Sequence, residues 1–106
     1  MLQVATVSIE LIHLLQPLVV RIRQRDRSLA DQLLRAANSV ALNIAEAERS
    51  EGGNVRSRFH TAAGSANETR RALQVAVAWG YVAPDAAEAA DKHLDRVSAM
   101  LWKLTH

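Results

Sequence analysis

Arginine is the residue type in this sequence with the clearest chemistry. Four arginines stand within seven residues and form the densest basic patch of the chain: Arg21, Arg23, Arg25 and Arg27. Guanidinium groups make forked hydrogen bonds with phosphate, so this arginine patch is a candidate contact for a nucleic-acid backbone. The alternative is that arginines near a helix C-terminus complement the helix dipole and keep a loop soluble. No aromatic residue stands near the patch in the sequence, so we do not expect unpaired bases to stack there.

A second candidate for phosphate contact is a polar stripe in the second half of the chain. At 3.6 residues per turn, one side of a helix carries Arg56, His60, Asn67, Arg71 and Gln74. In a single chain such a stripe is typical of a solvated helix face. In a ring it would be repeated on every subunit and could follow a phosphate backbone. With the arginine patch, we therefore assign nucleic-acid contact to Arg56, His60 and Arg71.

Two glutamates raise the question of acid–base catalysis. Glu46 and Glu68 are expected on neighbouring helices, together with Arg35 and Asn43. No nucleophile or glycine-rich loop accompanies them, cysteine is absent, and neither glutamate is followed three residues later by the histidine that di-iron bundles require. We expect no enzyme activity, no metal and no cofactor. The four side chains are interpreted as a polar network that fixes how the helices align.

Four amphipathic helices must position these residues, because apolar side chains recur three and four apart along most of the chain. The helices are predicted over residues 2–25, 29–48, 55–80 and 84–104 of one domain spanning residues 1–106. Short connections favour antiparallel neighbours, so the predicted fold is an all-α, up-down-up-down antiparallel four-helix bundle. Ser28 is expected to cap the second helix and Asn54 the third, and Leu104 is expected in the core.

The predicted helices carry more apolar surface than one small core requires. The candidates for an oligomer interface lie off the main core stripes: Leu2, Ile9, Val20, Leu42, Val75 and Trp79. The alternative is a wide stripe buried in a single core, with a few exposed apolar residues of no consequence. We expect a homo-oligomer. The N-terminal segment has neither the features of a signal peptide nor an uninterrupted membrane-length apolar run, so we expect a cytoplasmic protein with no membrane contact.

Residues 32–46, QLLRAANSVALNIAE, resemble the second-helix motif of a family of four-helix-bundle proteins encoded by intervening sequences in bacterial 23S rRNA genes. That motif reads approximately Q-L-R-R-A-A-x-S-I-x-x-N-I-A-E-G. The matching residues are Gln32, Leu33, Arg35, Ala36, Ala37, Ser39, Asn43, Ile44, Ala45 and Glu46. A looser third-helix motif, F-L-x-x-A-x-G-S-x-x-E, is matched by Phe59, Ala62, Gly64, Ser65 and Glu68, and Trp79-Gly80-Tyr81 is similar to a closing L-G-Y. The departures are Leu34 for the first arginine, Ala41 for a proline, Ala47 for the glycine and Arg58 for the first phenylalanine.

The resemblance implies a four-helix bundle that assembles into a ring-like homo-oligomer, a pentamer. The architecture is also similar to the accessory variability determinant of diversity-generating retroelements, a basic pentameric barrel that associates with a reverse transcriptase and nucleic acid. We therefore expect a non-enzymatic oligomeric scaffold that contacts an RNA or DNA backbone. The alternative is a protein-interaction ring that serves a reverse transcriptase or another partner.

Overall fold

The computed structural model describes residues 2–106 and contains four α-helices. They are α1 (Gln3–Arg25), α2 (Arg27–Arg49), α3 (Gly53–Ala78) and α4 (Pro84–Thr105). No strand occurs within residues 2–106, so the all-α prediction is confirmed. Every observed helix end lies within two residues of its predicted position. Met1, the first residue of the predicted domain, lies outside the described residues.

The four helices surround a shared apolar core. Each helix packs against the next in the chain, and α4 packs back against α1. Two clusters fill the interior. One includes Leu33 and Leu94, and the other includes Ile44 and Leu101, all of them fully buried. Since burying one such side chain stabilises a fold by about 1.5–3 kcal/mol, these two clusters contribute most of the packing energy. Leu104 was expected in the core but is exposed, because the helix turns Thr105 inward at that end.

The start of α2 differs from the sequence prediction. Asp26 is the N-cap residue, and its Oδ1 accepts a hydrogen bond from the backbone N–H of Leu29 at 2.9 Å. Asp26 is also the C-cap of α1, so one residue both ends α1 and starts α2. The predicted cap, Ser28, lies inside the helix and is exposed. The prediction was wrong because the chain reverses two residues earlier than expected, and the first available carboxylate takes the cap.

The start of α3 also lies two residues earlier than predicted. Gly52 is its N-cap, with a φ of +63° that few other residues adopt, and Asn54 is already helical. Asn54 is therefore not the cap. The glycine reverses the chain after α2, and α3 begins directly behind it.

Helix α1 is long and apolar enough to cross a membrane by length and composition alone. It also contributes eight buried residues to the core, from Val4 to Ile22. A core helix passes the same length and composition test, and 39% of the apolar window of α1 is buried inside the structure.

Candidate nucleic-acid interface

The arginine patch lies at one end of the molecule, where α1 ends and α2 begins. All four of its arginines are exposed. Arg23 pairs with Asp31 of α2 through a 2.7 Å contact between Nη1 and Oδ1. Within residues 2–106, Arg21 and Arg27 have no ion-pair partner. These two guanidinium groups are therefore available to an anion from solution.

Aromatic rings lie directly beside this patch, contrary to the sequence expectation. The guanidinium carbon of Arg25 stands 5.6 Å from the centre of the Tyr81 ring, a cation–π distance. The Tyr81 hydroxyl donates a long hydrogen bond of 3.4 Å to Asp26, which is 55 residues away in the chain. The indole of Trp79 lies nearly parallel to the Tyr81 ring, with 6.5 Å between ring centres. We call this part of the surface, comprising the arginine patch, Trp79 and Tyr81, the arginine end.

A helix C-cap holds the two aromatic residues in place. Gly80 adopts a φ of +78°, and its N–H donates to the carbonyl of Val77, while the Tyr81 N–H donates to the carbonyl of Ala76. This pair of hydrogen bonds is the Schellman motif that ends many helices at a glycine. The motif places Trp79 before the reversal and Tyr81 after it, so the backbone that carries both rings has a defined conformation.

The polar stripe predicted on α3 is divided along the molecule. Arg56 donates to the backbone carbonyl of Thr105 at 2.6 Å, and the His60 ring lies 6.2 Å from the His106 ring in an edge-to-face arrangement. Both contacts lie where α4 ends, at the opposite end from the arginine patch. Arg71 lies farther along α3, on a groove. The seven residues assigned to nucleic-acid contact are thus not brought together into one site.

A groove of about 640 Å³ runs between α2 and α3 and contains part of the predicted polar network. Arg35, Glu68 and Arg71 line it. Asn43 donates from Nδ2 to the Ser39 carbonyl at 2.9 Å, while Glu46 pairs with Arg49 on the same helix.

The hydrogen bond that links the two helices within this groove joins Ser39 and Ser65, whose Oγ atoms are 2.7 Å apart. Neither serine is among the residues that the sequence predicted for the polar network. Both serines nevertheless belong to the family motifs, Ser39 to that of the second helix and Ser65 to that of the third.

The residues proposed for an oligomer interface lie on several surfaces. Ile9 and Val20 are exposed on α1 and Leu42 on α2, and Val20 and Leu34 line an apolar groove between those helices. We call this surface the α1–α2 face. The other three lie elsewhere. Leu2 lines a pocket that includes Leu104, Val75 lines the α2–α3 groove, and Trp79 belongs to the arginine end.

The comparison with protein families agrees with the motifs. A family model described as "23S rRNA-intervening sequence protein" matches residues 2–103. The chain belongs to this family. A search of proteins with curated functions finds no match.

A solved structure shows that the family fold extends over this chain. It is the crystal structure of a protein of unknown function from the S23 ribosomal protein family of Bacteroides thetaiotaomicron. The two chains are 21% identical, with a TM-score of 0.88, and the alignment covers 96% of this chain and 97% of the other. At this identity the likeness establishes the fold alone.

Proposed function

We propose that this 23S rRNA-intervening sequence protein is a non-enzymatic oligomeric scaffold that associates with the phosphate backbone of RNA or DNA. The observation that supports this function is the exposed arginine patch. Arg21 and Arg27 have no ion-pair partner among residues 2–106, and Asp26 between them is already engaged as a helix cap. Charge that is unpaired within the protein is available for phosphate, and contacts to phosphate carry no base specificity.

The proposal is tested by nucleic-acid binding across a salt series. The variant replaces Arg21, Arg25 and Arg27 with glutamine and keeps Arg23, which the fold uses to hold Asp31. Because each phosphate contact releases counterions, the loss of three contacts should lower affinity and reduce the slope of log K against log salt by about 3 per bound subunit.

The matched control removes the same amount of charge elsewhere. It replaces three exposed basic residues outside the patch with glutamine, namely Arg58, Arg96 and Lys103. The control should bind almost as the unmodified protein does. Equal losses in both variants would mean that net charge, and not the arginine patch, governs binding. Unchanged binding in the patch variant would remove the assignment.

The same proposal includes self-association of an up-down-up-down bundle into a ring, with five subunits as the expected number. Its support is the α1–α2 face, where the large apolar side chains of Ile9, Val20, Leu34 and Leu42 are in contact with water. Several such side chains on two neighbouring helices of so small a protein are typical of an association surface. In a ring, the arginine patches of all subunits would repeat around one rim, and their fields would add.

Ile9 and Leu104 offer a matched test of this assembly, since they are 45% and 42% exposed but only Ile9 lies on the α1–α2 face. Ile9→Glu should reduce the mass measured by light scattering to that of a smaller species, whereas Leu104→Glu should leave it unchanged. Assembly through another surface is indicated if Ile9→Glu has no effect on mass.

The α2–α3 groove favours a second candidate function, a ring that binds a protein such as a reverse transcriptase. Arg35, Glu68 and Val75 give this groove both charges and apolar surface, a mixture more suited to a polypeptide than to phosphates. Arg35→Glu should then weaken a complex with the reverse transcriptase of a diversity-generating retroelement, measured by calorimetry. If no complex forms with the unmodified protein, this alternative is wrong.

A further inference from the structure

Trp79 is an exposed aromatic side chain that the proposed backbone contacts leave unexplained. It is 68% exposed, so its indole offers a large apolar face that a ligand can cover. It lies beside Tyr81, whose ring the Arg25 guanidinium contacts. The exposed ring is therefore adjacent to the densest positive charge of the chain.

We propose that Trp79 is a stacking site for an unpaired base, and hence that the arginine end binds single-stranded nucleic acid in preference to duplex. This inference rests on the proposed function, because it specifies which form of nucleic acid the arginine patch holds. Sites for single strands combine a basic surface that contacts the backbone with an aromatic face on which a base stacks. Arg21 and Arg27 supply the first feature and Trp79 the second.

The position of the indole is well suited to this role. The Schellman motif at Gly80 fixes the backbone between the two rings. Tyr81 is held by Asp26 and Arg25, and its ring plane is inclined by only 19° to that of Trp79. A side chain that is already ordered loses less conformational entropy when a base stacks on it.

The local charge argues for a nucleic acid over a second protein at this point. Arginine, tryptophan and tyrosine are also enriched at interfaces between proteins, so residue type alone does not decide between the two partners. The density of charge does, because Trp79 lies beside a surface with four arginines within seven residues, and a protein partner would have to neutralise those charges as well. A nucleotide offers an aromatic base and a phosphate in one unit and satisfies both.

The first experiment compares three probes by fluorescence anisotropy: an oligouridine of about 12 nucleotides, within the usual site size of single-strand binders, an abasic strand of the same length, and duplex RNA. Trp79→Ala should weaken binding of the oligouridine by roughly 5- to 150-fold, the range for loss of one base–aromatic stack. Binding of the abasic strand and the duplex should not change. Trp79→Phe should recover most of the affinity.

Trp102 provides the matched control. It is 61% exposed and also stacks on another ring, that of His106, but it lies at the opposite end of the molecule. Trp102→Ala should leave oligouridine binding unchanged. In addition, Trp102→Phe leaves Trp79 as the sole tryptophan, and its fluorescence should be quenched saturably by the oligouridine and not by the abasic strand.

The outcomes separate this inference from the proposed function. If the unmodified protein binds the duplex, and Trp79→Ala binds oligouridine as tightly as the unmodified protein does, the stacking site is wrong and backbone binding stands. If the unmodified protein binds none of the three probes, both are wrong. If Trp79→Ala lowers the oligomer mass, Trp79 is an interface residue, as first expected from the sequence, and the stacking site is wrong.

Discussion

Asp26 is the single residue between α1 and α2, and its replacement gives a sharp test of how the arginine end is built. Asp26→Ala removes the acceptor for the Leu29 N–H, a loss that costs about 1 kcal/mol at a helix N-cap. It also removes the acceptor for the Tyr81 hydroxyl. Because that hydrogen bond is 3.4 Å long, it adds about 0.5 kcal/mol at most. We expect a total destabilisation of about 1–2 kcal/mol.

Two further variants make the comparison specific. Asp26→Asn keeps an acceptor at the cap and should cost about 0.5 kcal/mol, mostly from the lost charge at the N-terminus of α2. Ser28→Ala removes the hydroxyl of the residue that the sequence favoured as the cap. Since Ser28 is exposed and already helical, its replacement should change stability by no more than about 0.5 kcal/mol.

The assay is urea unfolding followed by circular dichroism at one fixed protein concentration, because association contributes to apparent stability. Thermal unfolding should agree, with a decrease of about 4–8 °C for each kcal/mol in a domain near this size. Asp26 is not the main cap if Ser28→Ala destabilises the protein as much as Asp26→Ala. If Asp26→Asn is as destabilising as Asp26→Ala, the charge of Asp26 and not its capping hydrogen bond explains the effect.

Three other predictions follow from single positions. Gly80→Ala should destabilise the protein by about 1–2 kcal/mol, because a φ of +78° is unfavourable for alanine. Gly64 lies inside α3 with open space around it, so Gly64→Ala should stabilise the protein by about 0.5–1 kcal/mol. Urea midpoints that move in the same direction for both variants would contradict this prediction. Leu94→Ala should cost about 2–5 kcal/mol in the same assay because the side chain is fully buried, and a loss under about 1 kcal/mol would mean that the core refills the space. Arg56→Ala should lower stability by about 0.5–1.5 kcal/mol, because the hydrogen bond to the Thr105 carbonyl is lost, and it should leave oligonucleotide affinity unchanged. A loss of affinity without a loss of stability would indicate that Arg56 contacts phosphate.

The sequence by itself determined the helices and their buried sides. Leu11, Leu15, Leu18 and Ile22 recur three and four apart, and all four are buried in the structure. This periodicity is local, because a helix brings residues at such spacings onto one side whatever surrounds it. The motif in α2 likewise identified the family without reference to any contact between helices.

Helix ends were less predictable because several nearby residues can satisfy the same free backbone groups. Asp26 and Ser28 are both good N-cap residues. Which of them becomes the cap depends on where the chain reverses, and that is set by how α1 and α2 pack. The charge pairs depend on packing in the same way. Asp31 and Arg35 stand four residues apart on one helix, a spacing at which opposite charges can pair. The structure instead pairs Asp31 with Arg23 of the neighbouring helix.

Only the tertiary structure decided the composition of the candidate site. It brought Tyr81 to Arg25 and Asp26 across more than half of the chain, and it carried Arg56 to the opposite end of the molecule. Distances between residues on different helices depend on how the helices are aligned, and no short sequence pattern encodes that alignment. The periodic pattern therefore specifies which side of each helix is buried, and the packing specifies which side chains meet at its ends.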